Sequence, residues 1–254
     1  MAYLTLTKQN IGKEHICCAI SDKKCAEGYE SKKRWLATEF DNGYVFRRLD
    51  ERAKAFIEYG PAEKAWVPVT ASGYLMIGCF WVSGKFKGHG HGKALLQSVI
   101  EDARKQGKSG LATVVGTKKY HFMSDTKWLL KQGFETIESI TSGFSLLSMS
   151  FESSGIKPSF NEAARRGECP HRTGIVAYYS NRCPFTEYYV TEALVAAAER
   201  RNLPLKTVKI ETGEQARACP SPATIFSLFL DGAFVTTDLG VCLDSRFDTI
   251  VGGR

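Results

Sequence analysis

The chain has 254 residues, of which 43% are apolar, so it can build a packed core of one large domain or two modest ones. Its net charge of +7 is uneven: 22 Lys/Arg against 16 Asp/Glu in residues 1–152, and 12 against 11 afterwards, so the first half suits an anionic ligand better. No dense basic run interleaves with aromatics, which gives no footing for nucleic acid. No apolar run approaches the roughly 18 residues that span a bilayer. The N-terminus lacks a basic stretch followed by an apolar core, so the cytosol is the default location and the eight cysteines are expected to be reduced.

In chain order, Tyr3–Thr7 alternates as a short strand. Asn10 is placed to cap a helix running to Ser21, and Cys25–Phe40 reads as a second helix stopped by Asp41-Asn42-Gly43. Cys17, Cys18, Cys25 and Cys79 read as ordinary core or surface residues. Tyr44–Leu49, Ala53–Tyr59, Val67–Thr70 and Tyr74–Val82 follow as strands, the last almost continuously apolar, as in a strand buried on both faces. Then come a helix Lys93–Gln106, a strand Leu111–Val115, a helix near Asp125–Gln132 ending at Gly133-Phe134, and strands Glu135–Ile140 and Phe144–Phe151. Residues 153–173, with two glycines and two prolines, read as a linker holding a short helix near Asn161–Arg166. Beyond it lie a strand Ile175–Ser180, a helix Pro184–Arg201 and a strand Leu205–Ile210. A hairpin of Ala223–Leu230 and Ala233–Thr236 turns across Asp231-Gly232, and a helix through Leu243–Ile250 ends the chain. This divides the sequence into 1–152, the linker 153–173, and 174–254, a mixed α/β (α+β) architecture with a second, smaller unit.

The segment Val82-Ser83-Gly84-Lys85-Phe86-Lys87-Gly88-His89-Gly90-His91-Gly92-Lys93 leaves a buried strand and enters an amphipathic helix. Glycines at alternate positions let the main chain approach a ligand, and the first-turn N–H groups with the helix dipole form an anion site to which Lys87 and Lys93 add charge. Two common phosphate motifs fail. A dinucleotide fingerprint needs a glycine where Lys93 or Leu95 stands, and a P-loop needs Ser or Thr where Ala94 stands. His89-x-His91 would need a third ligand to hold a metal, and none is evident, so no metal is expected.

What remains, Lys87-Gly88-His89-Gly90-His91-Gly92, resembles motif A of the GCN5-related N-acetyltransferases (GNAT), with Lys87 at the usual Arg or Gln, over residues 1–150. The resemblance implies a GNAT fold with acetyl-coenzyme A as acyl donor and an amine acceptor of unspecified type. It also implies a pantetheine arm paired with the main chain of Val82 and Ser83, and a pyrophosphate held by amides of Gly88, His89, Gly90, His91, Gly92 and Lys93. Amine acetylation needs a base to neutralise the ammonium and an acid for the departing thiolate. Relatives often carry a Tyr four residues before Gly133-Phe134, where this chain has Leu129. Tyr120 is a substitute acid or a packed loop aromatic, and Glu58 a candidate base or a solvated charge.

The second half carries Asn181-Arg182-Cys183-Pro184-Phe185-Thr186 after a strand. Cys183 at a helix N-terminus would have its pKa lowered by the dipole. The order of elements resembles the thioredoxin fold, with Pro222 at that family's cis-proline. Cys-Pro-Phe-Thr and Asp-Gly-Ala-Phe-Val resemble the YoaP-like domain found behind some acetyltransferases. Thr186 stands where a dithiol enzyme carries its second cysteine. Cys219 could approach Cys183 in space, with Cys169 and Cys242 completing a cluster. Two functions follow as expectations: an acetyl-coenzyme A-dependent N-acetyltransferase with an appended thioredoxin-like domain, or a thiol- or metal-binding protein whose first half senses acyl-coenzyme A. The acceptor and the oligomeric state stay open.

Overall fold

A computed structural model describes residues 2–16, 18–120, 123–152 and 156–252. The first half is a seven-stranded mixed sheet in the order β1-β2-β3-β5-β6-β8-β7. Its strands are β1 (Tyr3–Thr5), β2 (Val45–Leu49), β3 (Ala55–Pro61), β5 (Tyr74–Val82), β6 (Gly110–Gly116), β7 (Glu135–Ile140) and β8 (Phe144–Ser150). Helices α2 (His91–Lys105) and α3 (Thr126–Lys131) cover one face, where Leu95, Leu96 and Val99 meet Ile57, Leu75, Ile77 and Leu147. Helix α1 (Ala26–Glu39) and the second half of the chain cover the other.

The second sheet has the order β11-β10-β12-β13: β10 (Ile175–Ser180) runs parallel to β11 (Leu205–Ile210) and antiparallel to β12 (Phe226–Leu230), which pairs with β13 (Ala233–Thr236). Side chains alternate across a strand, and β10 uses both faces. Ile175, Ala177 and Tyr179 pack on Val190, Leu194 and Phe247, whereas Val176 and Tyr178 join Trp35, Phe46, Phe56 and Trp66. One core therefore runs through both halves. The helix after β10 is composite: α5 (Thr186–Tyr188), a π turn over Tyr189–Ala193, and α6 (Leu194–Glu199); α8 (Asp244–Val251) packs beside it.

The segment read as a linker is docked. Ser159–Phe160 (β9) pairs with Val69–Thr70 (β4), Phe160 is buried, and Arg165 of α4 (Glu162–Arg166) pairs with Glu138 at 2.7 Å. Residues 153–155, like Cys17, lie outside the described residues.

Three expectations are corrected. No helix follows Asn10. Its side chain accepts from Thr7 N–H at 2.8 Å and donates to the Thr5 carbonyl at 3.1 Å, so it closes the turn behind it, and the chain runs on in turns. The helix expected from Pro184 starts at Thr186, because the turn Asn181–Phe185 intervenes. The strand Tyr74–Val82 has the expected bounds but is not buried throughout: from Gly78 onward it is half-exposed, and Trp81 is 45% exposed. A short helix α7 (Gly213–Arg217) was not anticipated, although its Thr212–Gln215 capping box is written in the sequence.

Candidate active site

Strand β5 pairs with β6 only where Tyr74–Ile77 faces Gly110–Thr113. Past that point β6 stays with β8 to Gly116, while β5 stays with β3 to Val82. The two parallel strands therefore part, leaving a gap between Gly78–Val82 and Val114–Gly116. A β-bulge marks the place: Ile57 faces Phe80 but Tyr59 faces Ile77, so Glu58 opposes an extra residue at Gly78-Cys79.

The ladder tells which main-chain groups face the gap. Ser83 N–H donates to the Lys54 carbonyl at 2.9 Å, and its own carbonyl accepts from Phe86 N–H, so Ser83 is engaged within the protein. In an antiparallel ladder this makes Ala55–Val82 a non-hydrogen-bonded pair, and alternation turns the main-chain groups of Phe80 and Val82 toward the open edge.

At the top of the gap, Gly88 and Gly90 have φ of +80° and +82° with open space where a Cβ would stand, a left-handed backbone that glycine adopts without penalty. The turn presents the N–H groups of residues 88–93, none of which has a partner among the described residues. Lys87 and Lys93 are exposed and pair with no described carboxylate. His91 differs from its neighbours. Its ring is buried, with Nδ1 3.0 Å from the Tyr3 hydroxyl and Phe86 on its edge, so its side chain anchors the turn; His89 is exposed. Phe80 and Trp128, in edge contact at 5.4 Å, wall the gap beside Gly92. A set of convergent unpaired amides beside two free lysines fits a diphosphate, and the unpaired edge below it fits an amide-bearing arm.

At the foot of the gap lies a cavity of about 50 Å³. Gly78 and Val114, the first residues beyond the β5–β6 pairing, form part of its wall, with Glu39, Tyr44, Trp66 and Arg182. Both halves build it. Arg182, 7% exposed, donates through Nη1 to the Trp66 carbonyl at 3.0 Å and to Thr224 Oγ1 at 2.9 Å. Glu39, the last residue of α1, is 5% exposed; burial raises its pKa, and hydrogen bonds from Trp66 and Asn42 and the nearby Arg182 and Lys64 charges offset part of that rise.

The residues singled out in the sequence fall differently. Glu58 is not a solvated charge: it is 1% exposed, takes Lys32 Nζ at 2.5 Å and the Tyr44 hydroxyl at 3.0 Å, and only Tyr44 of these reaches the cavity wall. The carboxylate drives the Lys32 pKa up against the opposing effect of burial. Tyr120 packs on Phe144 at 5.2 Å and on Phe234, and burial raises its pKa. Leu129 is buried under α2.

In the second half, Cys183 is buried rather than poised. The helix begins three residues later, and desolvation pushes its pKa up to about 12, opposite to the dipole effect expected. Cys219 is likewise pushed up to about 12, beside Cys169 in the shared core, while Cys183 and Cys242 lie in the other cluster. The four do not converge, and no group of three or more metal-ligating side chains forms among the described residues. Pro222 lines the cavity, and no peptide bond in the described residues is cis. Sequence reasoning missed Glu39, Tyr44, Trp66 and Arg182. Only Arg182 gave a signal, as a charge between a strand end and Cys-Pro.

Comparison with known proteins shows what the chain is similar to. Residues 11–122 match the acetyltransferase (GNAT) family and residues 204–248 the YoaP-like family. A Bacillus subtilis (strain 168) protein named uncharacterized N-acetyltransferase YoaP is 37% identical over 239 residues, covering 94% of each chain. The chain belongs to the acetyltransferase (GNAT) family. As a GNAT protein it is an acetyl-coenzyme A-dependent N-acetyltransferase. Similar solved structures include the PaiA N-acetyltransferase of Thermoplasma acidophilum in complex with coenzyme A (12% identity, TM-score 0.41) and a ribosomal-protein-alanine N-acetyltransferase of Brucella melitensis (14%, 0.43). Each is matched over its full length and over 59% of this chain. No helix among the described residues is long and apolar enough to cross a membrane.

Proposed function

We propose that the protein acetylates a small amine admitted to the cavity between its halves, with Glu39 as the base. Acetyl-coenzyme A supplies the activated acyl group. Amides of residues 88–93, with Lys87 and Lys93, hold its diphosphate, and the open edges of Phe80 and Val82 receive its arm. The observation that carries this reading is continuity: Gly78 and Val114 belong both to the gap and to the cavity.

Glu39 is the carboxylate on the cavity wall, and its raised pKa brings it closer to that of an ammonium, which improves proton transfer. Glu58 stands behind Tyr44 with both carboxylate oxygens engaged. We assign Glu58, Lys32 and Tyr44 to fixing the wall opposite Arg182. Tyr120, on the Phe144 side, is assigned to packing. The smaller second half, whose sheet order supports the thioredoxin-like reading, completes the cavity rather than acting as a thiol enzyme.

Calorimetry with acetyl-coenzyme A tests the donor site, and absence of binding at high micromolar ligand would end the reading. Glu39→Gln should keep that binding and lower kcat by about 10²–10⁴-fold. The wild-type rate should rise with pH through the raised carboxyl pKa, a limb the variant loses. The same shift has a stability sign. A carboxyl with a raised folded-state pKa favours the fold at low pH and loses that advantage as pH rises through it. Glu39→Gln should therefore melt at the same temperature or higher than wild type at pH 7.

A further inference from the structure

From the guanidinium of Arg182 at the foot of the gap, which makes no ion pair with a described carboxylate, we infer that the acceptor is a small amine that also bears a carboxylate, and that Arg182 receives that carboxylate. This rests on the reading above, which leaves the acceptor's chemistry open.

Arg182 is almost wholly buried, yet no described carboxylate lies within ion-pair distance of it. Nη1 is used on Trp66 and Thr224, Nε has no partner, and Nη2 makes no hydrogen bond among the described residues. Nη2 lies 3.2 Å from where a Cβ on Gly78 would stand, so it reaches the point where β5 and β6 part. Burying a guanidinium without a counter-charge costs several kcal/mol, and a planar fork with open donors matches a carboxylate edge. Neutral partners hold Nη1 in place. Thr224 donates in turn to the Trp66 carbonyl, so the fork is aimed by both halves of the chain.

The opposite charge sits on the same wall. Glu39 faces the cavity and Arg182 does too, without a direct ion pair between them. A wall offering one acid, Glu39, and two cations, Arg182 and the more exposed Lys64, suits a ligand carrying one ammonium and one carboxylate. The ammonium would lie at Glu39 and the carboxylate at Arg182, and a cavity of about 50 Å³ suits a small molecule. On transfer, the amine nitrogen forms the new amide bond as the thioester bond breaks. Glu39 takes one ammonium proton before attack, and the second, shed from nitrogen as the amide forms, goes to the departing thiolate, which leaves as the thiol.

The test uses the whole chain with glycine, β-alanine and 4-aminobutyrate against methylamine, ethylamine and propylamine, in the presence of acetyl-coenzyme A. Release of thiol gives the rate, and calorimetry with coenzyme A present gives amine binding. At least one carboxylated amine should exceed its partner by about a hundredfold in kcat/KM, and Arg182→Met should erase that preference in both readouts while leaving acetyl-coenzyme A affinity unchanged. If Arg182→Met does not fold, Arg182→Lys keeps the charge but not the fork and should lose most of the preference. Equal use of both amine series, use of neither, or a preference that survives in the variants overturns the inference. Failure of acetyl-coenzyme A itself to bind overturns the donor site instead.

Discussion

The glycine-rich turn and the cavity beneath it are built on opposite plans. The turn is one short segment, residues 82–93, whose hydrogen-bond donors are main-chain amides bared by glycines, with Lys87 and Lys93 adding charge and His91 anchoring it. The cavity is assembled from Glu39, Tyr44, Trp66, Gly78, Arg182 and Thr224, spread over 186 residues, and its character comes from side chains. A donor common to a whole family can be held by generic backbone, whereas discrimination among acceptors needs particular groups brought from far apart. Changes in the turn should therefore alter donor affinity more than the fold. Changes behind the cavity should alter the fold first.

The largest effect is expected at Glu58. Glu58→Gln leaves Lys32 buried without a counter-charge, and breaking one side of such a pair destabilises by about 3–5 kcal/mol. Replacing both at once, Lys32→Met with Glu58→Leu, should recover much of that loss, because the paired charges are themselves costly to bury. Denaturant unfolding at pH 7 reads both variants. The pair also sets a pH window. The raised Lys32 pKa favours the folded state below the usual lysine value, and that stability is lost only as pH rises beyond it. A single variant as stable as wild type would mean that the cavity wall does not rest on this pair.

The same contrast explains what could be read from the sequence. Strand–turn–helix order and the alternate glycines are local, and Tyr74–Val82 was legible to the residue because its apolar run is nearly continuous. Where β5 parts from β6 was not legible, since pairing partners come from distant segments. Nor was the shared core: Val176 and Tyr178 alternate as any strand would, and nothing in that period says that they face Trp66. Glu58 read as a candidate base or a solvated charge because its partner Lys32 lies 26 residues away on another element. Cys183 misled for the opposite reason. The local pattern, a cysteine before a proline at a helix start, was real, but burial against the first half outweighs the dipole.

At the turn, Gly88→Ala and Gly90→Ala ask a residue with a Cβ to hold φ near +80°, at about 1–2 kcal/mol each. They also put a methyl group into space now open to a ligand. About 1.4 kcal/mol is tenfold in affinity, so each should weaken acetyl-coenzyme A binding by about tenfold or more in calorimetry. The preference among amines should not change. A shifted amine preference with unchanged donor affinity would reverse the roles given to the two regions.

The smallest effect is expected at Cys183. An ordinary thiol with a pKa near 8.5 is about a quarter thiolate at pH 8, whereas one pushed up to about 12 is ionised in about one molecule in ten thousand. Burial removes access as well, since Cys183 is only 7% exposed. Peptide mapping after iodoacetamide at pH 8 should find Cys183 unmodified in the native protein and modified once urea unfolds it, and Cys183→Ser should leave donor binding as it was. Rapid labelling in the native state would show that the seam between the halves opens. In that case the cavity would be a transient space, and the side chains lining it could not hold a fixed acceptor geometry.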